Sequence, residues 1–251
     1  MTFETVSKLL EEESIKRNST LELTEKRPDP LMIASVYGDE FSALICALFA
    51  YGNAKAIVGF LESLDFTLLD ASEAKIHDAF VHHYYRFQNA DDIAALFVTL
   101  HRLKKKHISL ESLFLPAYLQ SGNVMDGLRS LISSLYAINP YRSQGYQFLL
   151  GTIPPAHPKS PYKRWHMYLR WMVRKDNLDL GLWKGVHTKD LLMPLDTHTF
   201  NLGKKLGLIQ RKSYDFKAVL ELSCALKKID PSDPIKYDFA LYRLGQEKIL
   251  S

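Results

Sequence analysis

Apolar residues recur along this chain at helical spacing, and no stretch of useful length shows the alternation of a strand. Phe41, Leu44, Ile45, Leu48 and Phe49 fall at i, i+3, i+4, i+7 and i+8, which predicts a core helix ending near Tyr51-Gly52-Asn53. Ala56, Phe60 and Leu61 begin another, with Leu64 on the same side. Ile93, Leu96, Phe97, Leu100 and Leu103 form a third stripe. It is entered through Asn89-Ala90-Asp91-Asp92, whose short polar side chains suit the open amides of a first helical turn. Val124, Leu128, Leu131, Ile132 and Leu135 mark a fourth. Gly151 to Pro161 holds four prolines and cannot continue a helix, so a loop is expected there. A helix over the Lys163 segment follows, then a connection containing Gly181, then a helix for which Asp196 reads as the N-cap. Leu202, Leu206 and Ile209 supply the apolar stripe behind that cap. Two closing helices are expected over Tyr214 to Ile229 and Tyr237 to Ile249, divided by Asp230-Pro231-Ser232-Asp233-Pro234. The whole pattern is that of an all-α protein without internal repeats.

Composition adds bounds. A chain of 251 residues, 47% hydrophobic and 12% aromatic, is globular and long enough for one domain or two compact lobes. The net charge of +4 is too small to identify a polyanionic partner, but its distribution is informative. From Lys159 to Lys175 there are six Lys or Arg residues and no acid, with Trp165, Tyr168 and Trp171 interleaved. Such a stripe suits a phosphate-facing surface; the alternative is the solvated face of a half-buried amphipathic helix. Cys46 and Cys224, far apart on apolar stretches, are expected as buried thiols in a reducing compartment. Two cysteines exclude a four-cysteine iron–sulfur cluster. The histidines, His82-His83 and His198 among them, show no metal-ligand spacing, and His101 and His107 are expected at the surface. No metal or cofactor is expected. Tyr84-Tyr85-Arg86-Phe87 is expected to pack in the core. No signal peptide and no membrane-spanning apolar run is read, so a cytoplasmic protein is expected, placed at the nucleoid when bound to DNA.

Two segments carry candidate chemistry. Pro194-Leu195-Asp196-Thr197-His198, followed by Lys204-Lys205-Leu206-Gly207-Leu208, places a carboxylate at the positive end of a helix. Lys163-Arg164-Trp165-His166 opens the basic aromatic segment upstream. The first resembles the aspartate region of the helix-hairpin-helix base-excision DNA glycosylases, where the pattern is Val-Asp-Thr-His. The second is similar to the helix of those enzymes that holds the nucleophilic lysine. Phe41 to Asn53 is similar to their early core helix beside the base pocket. Ile235-Lys236-Tyr237-Asp238-Phe239-Ala240-Leu241-Tyr242 resembles the last helix of the archaeal GO glycosylases, which act on 8-oxoguanine. Leu169 to Arg174, Pro194 to His198 and Lys236 to Ala240 also resemble a bacterial family of uncharacterised proteins. The interval of 33 positions between Lys163 and Asp196 is close to that of the archaeal branch. Two departures stand out. The glycine-rich hairpin is replaced by Pro154-Pro155-Ala156-His157-Pro158-Lys159-Ser160-Pro161, and Tyr242 stands where the archaeal enzymes have Trp.

The resemblance implies a two-lobed helical fold with a hairpin-like element. One lobe would span 40–174, the other 1–39 with 175–251, and a cleft would lie between them. It also implies a bifunctional glycosylase that removes an oxidised purine such as 8-oxoguanine from double-stranded DNA and acts as a monomer. Lys163 would attack C1′ and form a Schiff base, and the resulting imine would drive strand cleavage. Asp196 would stabilise the oxocarbenium-like transition state. Asp238 would read the flipped base and Tyr242 would stack on it, with Gly52 and Asn53 on the opposite wall. Phosphate contacts would come from Lys159, Arg164, Arg170, Lys175 and His198. Two other readings stay open on the residues alone. One is a non-catalytic helical DNA-binding protein; the other is a monofunctional alkylated-base glycosylase using Asp196 and water.

Overall fold

The structure is a computed structural model that describes residues 1–247. Among them only α-helices, short 3₁₀ turns and three isolated bridges occur, so the fold is all-α. The expected stripes appear as the helices Glu40–Leu48, Ala54–Glu62, Ala90–Lys105 and Val124–Ile138. Their starts follow from local chemistry: Asp39, Asn53 and Asn123 each accept a first-turn amide through the side chain. Asn89 goes further. Its side chain accepts from Asp92 N while Asp92 accepts from Asn89 N, both at 3.0 Å, a reciprocal capping box.

Five helices lie where no stripe was read: Phe3–Arg17, Leu31–Tyr37, Glu73–Phe80, Leu110–Ser121 and Gln144–Leu150. The first is largely polar, and the fourth contains Pro116, so neither shows a clean apolar period. The helix expected from Tyr214 begins at Phe216, because Asp215 caps it. The last helix runs Asp238–Gln246 after a 3₁₀ turn over Pro234–Tyr237. Its expected continuation to Ile249 passes beyond residue 247, outside the described residues.

The chain divides into two compact units: Met1–Arg27 with the chain from Ala156 onward, and Pro28–Pro155. Compared with the 40–174 and 1–39/175–251 boundaries read from sequence, Leu31–Tyr37 joins the middle unit and Lys163–Val173 joins the terminal one. The middle unit is built on Ala90–Lys105, whose apolar stripe from Ile93 to Leu103 is fully buried. At its centre Thr99 Oγ1 meets Tyr146 Oη at 2.7 Å and accepts from Asn139 Nδ2 at 3.0 Å, satisfying three buried polar groups at once. The terminal unit is built on Lys163–Val173, buried from Trp165 through Val173. In the same unit Asp238–Gln246 packs on the Thr197–Lys205 helix. Gly245 makes that approach possible, since a Cβ there would lie 3.3 Å from the His198 carbonyl oxygen.

Three sequence expectations about burial are overturned. His101 is buried, with Nδ1 3.0 Å from the Leu69 carbonyl, because it lies on the inner face of the Ala90–Lys105 helix. Cys224 is exposed, on the outer face of Phe216–Lys227, while Cys46 is buried as expected. Tyr84, Arg86 and Phe87 are exposed and only Tyr85 packs inward, because a tight turn from Tyr85 to Gln88 reverses the chain there.

Candidate active site

Asp196 is the N-cap of Thr197–Lys205: its Oδ1 accepts from Thr199 N at 2.8 Å. The bond fixes the carboxylate at the positive end of the helix, where it remains half-exposed. Behind it, Tyr214 donates its hydroxyl to the Leu195 carbonyl at 2.7 Å. Burial pushes the Tyr214 phenol up to about 12, and Asp196 adds in the same sense, so the hydroxyl stays a donor and braces the residue before the cap.

Lys163 is the first residue of its helix. Tyr162 before it is buried and left-handed at φ 47°, an unusual conformation for a non-glycine residue, and supplies no side-chain cap. The Lys163 amine lies 3.3 Å from the Met167 sulfur. Among the described residues it forms no ion pair. It is half-buried beside a soft, apolar partner one turn along.

Asp238 joins the two. It is buried, and burial holds its carboxyl above the usual range. Arg170 and Lys163 oppose that rise, and Asp196 reinforces it. Its carboxylate therefore feels the charges of both Lys163 and Asp196, so these three groups form one electrostatic cluster within the terminal unit. The Asp238 side chain is held by the Arg170 guanidinium through Nη1.

That contact changes the reading of the basic stripe. Arg170 is buried, bonded to Asp238 and, through Nε at 3.1 Å, to Asp179. Its guanidinium is thus engaged by two carboxylates inside the terminal unit, and Asp238 is occupied by Arg170. Arg174 is likewise buried, binding Asp179, Asp176 and Asp233. Burial pushes the Asp179 carboxyl up to about 6 even with two guanidiniums beside it. The exposed cations of the stripe are Lys159 and Lys175, with Lys163 and Arg164 exposed in part. Lys175 donates to the Leu180 carbonyl at 3.2 Å. His198 is exposed on the first turn of the Asp196 helix. Tyr242 is half-exposed, one turn along from Asp238, with its hydroxyl accepting from Gln246 at 2.7 Å. Gly52 and Asn53 belong to the middle unit, where Asn53 caps Ala54–Glu62.

Sequence reasoning missed the Arg170–Asp238 and Arg174–Asp179 pairs. The available signal was Asp176-Asn177-Leu178-Asp179, two acids placed directly after a helix whose last turn carries arginines. It also missed His166, buried one turn from Lys163 with neither ring nitrogen bonded, where burial drops the imidazole to about 3 and keeps it neutral.

A family model described as "Protein of unknown function (DUF2400)" matches residues 29–247. The chain belongs to this family. No curated protein and no solved structure matches it. The DUF2400 match takes in Lys163, Asp196 and Asp238 together with the buried arginines that surround the last of them. No helix among the described residues is long and apolar enough to cross a membrane.

Proposed function

We propose that this protein is a base-excision DNA glycosylase with abasic-site lyase activity, acting on an oxidised purine such as 8-oxoguanine in double-stranded DNA. The observation that carries the reading is the cluster of a lysine without an ion pair, a capped half-exposed carboxylate and a buried carboxyl within one unit. Cleavage of an N-glycosidic bond builds positive charge on the sugar, and Asp196 is an anion fixed in place before that charge develops. Lys163 Nζ, after giving up a proton, attacks C1′ while the base departs with the bonding electron pair and takes up a proton; the C1′–O4′ bond then opens, with the amine's proton passing to O4′, to leave the imine, and loss of a C2′ proton expels the 3′ phosphate by β-elimination. In this reading the fold has the two-lobed arrangement of the helix-hairpin-helix glycosylases, with Lys163–Val173 as the second helix of a hairpin-like element. Asp238, positioned by Arg170, acts in base recognition with Tyr242. Lys159, Arg164, Lys175 and His198 supply the phosphate contacts.

The test is excision from duplexes that each carry one oxidised or alkylated base, comparing wild type with Asp196→Asn. Asn also caps helices, so the variant is expected to fold normally while losing about 10²–10³-fold in excision rate. Wild type that releases no base from any duplex, or Asp196→Asn that retains the full rate, would overturn the proposal.

A further inference from the structure

The middle unit presents a second chemistry-bearing surface, formed by Tyr84 and the turn Tyr85-Arg86-Phe87-Gln88. The turn is closed by Tyr85 N to Gln88 O at 3.0 Å and Gln88 N to Tyr85 O at 2.9 Å, and Arg86 occupies the left-handed region at φ 57°. A non-glycine residue is strained in that conformation and stays there only where surrounding contacts impose it. They do so here. Tyr85 is buried and donates its hydroxyl to Tyr51 O at 2.7 Å, the Tyr51 hydroxyl bonds Gln88 Oε1, and Gln88 Nε2 donates to Gly145 O at 3.2 Å. Gly52, at φ 113°, lies directly beneath the turn: a Cβ there would come within 2.6 Å of Arg86 Nη1.

What this frame displays is aromatic. Tyr84 is 75% exposed, Phe87 53% and Phe148 40%. Phe87 is not loose: its ring centroid is 4.5 Å from that of Phe148 and 5.8 Å from that of Tyr51. Tyr51 in turn meets Tyr85 at 5.2 Å, and Tyr85 stacks on Phe60 at 4.5 Å, so a continuous run of rings leads from the core to the surface. The segments that build the surface, 51–56, 81–88 and 144–153, contain Lys55 and Arg86 and no carboxylate. The Arg86 guanidinium lies 5.6 Å from the Tyr51 ring centroid, and no ion pair is formed by Arg86 among the described residues.

We propose that this turn is a stacking platform for nucleobases, with Phe87 taking the base face and Arg86 and Lys55 drawing in the strand's phosphates. An exposed apolar cluster of this kind marks an interaction site. A rigid ring beside cations, with the Asp92 carboxyl that abuts Gly145 buried, matches a polyanion with flat faces better than it matches an acidic or purely apolar protein surface. The inference rests on the proposed function only for the choice of DNA as the strand bound.

The experiment follows a single-stranded DNA oligonucleotide carrying 2-aminopurine, at low salt. Stacking is read as quenching, and affinity as the anisotropy of a dye at the far end. Wild type is expected to bind and quench. Phe87→Ala and Phe87→Leu should each bind about tenfold more weakly and lose the quenching, whereas Phe87→Tyr should keep both. Circular dichroism of each variant shows that it is folded. Phe87→Ala that binds and quenches as wild type does would overturn the proposal. So would a Phe87→Ala protein that changes only its oligomeric state, since that identifies a protein partner. Phe87-dependent quenching without any lyase activity would refute the glycosylase reading and leave this one standing, and lyase activity with Phe87-independent binding would do the reverse.

Discussion

The two ends of the helix Lys163–Val173 carry the same kind of charge and have opposite fates. At its start, Lys163 and Arg164 are half-exposed, and Lys163 forms no ion pair among the described residues. At its end, Arg170 and, just beyond, Arg174 are buried and divided among Asp179, Asp238, Asp176 and Asp233. A run of cations in sequence therefore says nothing about which of them meet solvent. Partner carboxylates, supplied by the 176–179 turn and by the last two segments of the chain, decide it. In the half-exposed part, the Lys163 charge stays partly in contact with solvent. In the buried half, positive charge is used to hold Asp238 where it senses both Lys163 and Asp196.

The largest effect expected from breaking this contrast is on stability. Arg170→Met leaves Asp238 and Asp179 buried without their shared guanidinium, which should cost about 3–5 kcal/mol in denaturant unfolding. Lys163→Gln, at the other end of the same helix, should change stability by less than about 0.5 kcal/mol. Equal losses in the two variants would remove the distinction between the ends. Next in size is Asp196→Ala. Unlike Asn, Ala cannot cap, so about 1 kcal/mol of stability should go together with excision, and comparison with Asp196→Asn separates the two roles.

Acid sharpens the comparison further. The folded Asp179 carboxyl, raised to about 6 from 3.8, binds a proton more readily than the unfolded one. The sign follows: its contribution to stability increases as pH falls from above 6 towards 4, because the native state takes up the extra proton. Several carboxyls held below their usual range, among them Asp230, Asp215 and Glu73, act in the opposite sense. The informative quantity is therefore the difference between wild type and Asp179→Asn, which should move in favour of wild type on acidification from pH 7 to pH 4. A difference that is flat with pH would show that Asp179 titrates normally.

Much of this was legible in the sequence, and what was not has a common cause. Helix periods and caps are local, so Asp196 and Asn89 were placed correctly from their neighbours alone. The partners of Arg170 lie 9 and 68 positions away, and those of Arg174 up to 59, so their burial depends on contacts that periodicity does not encode. The Tyr84–Phe87 turn failed for a different reason. Its aromatic composition resembles a core segment, but Arg86 in the left-handed region reverses the chain and turns two of the rings outward.

The smallest effect concerns DNA binding. If exposed cations alone meet phosphates, Lys175→Gln and Arg164→Gln should each lower the salt slope of binding by about 1. Arg170→Lys, which keeps a buried cation, should leave the slope unchanged. A reduced slope in Arg170→Lys would mean that Arg170 reaches the strand after all.

Borohydride trapping on a duplex with a single abasic site tests the central claim, that Lys163 is the nucleophile, most directly. Wild type should give a covalent protein–DNA adduct whose modified peptide contains Lys163, and Lys163→Gln should give none while still binding the duplex. An adduct that persists in Lys163→Gln, maps to another lysine, or fails to form with wild type would contradict the account.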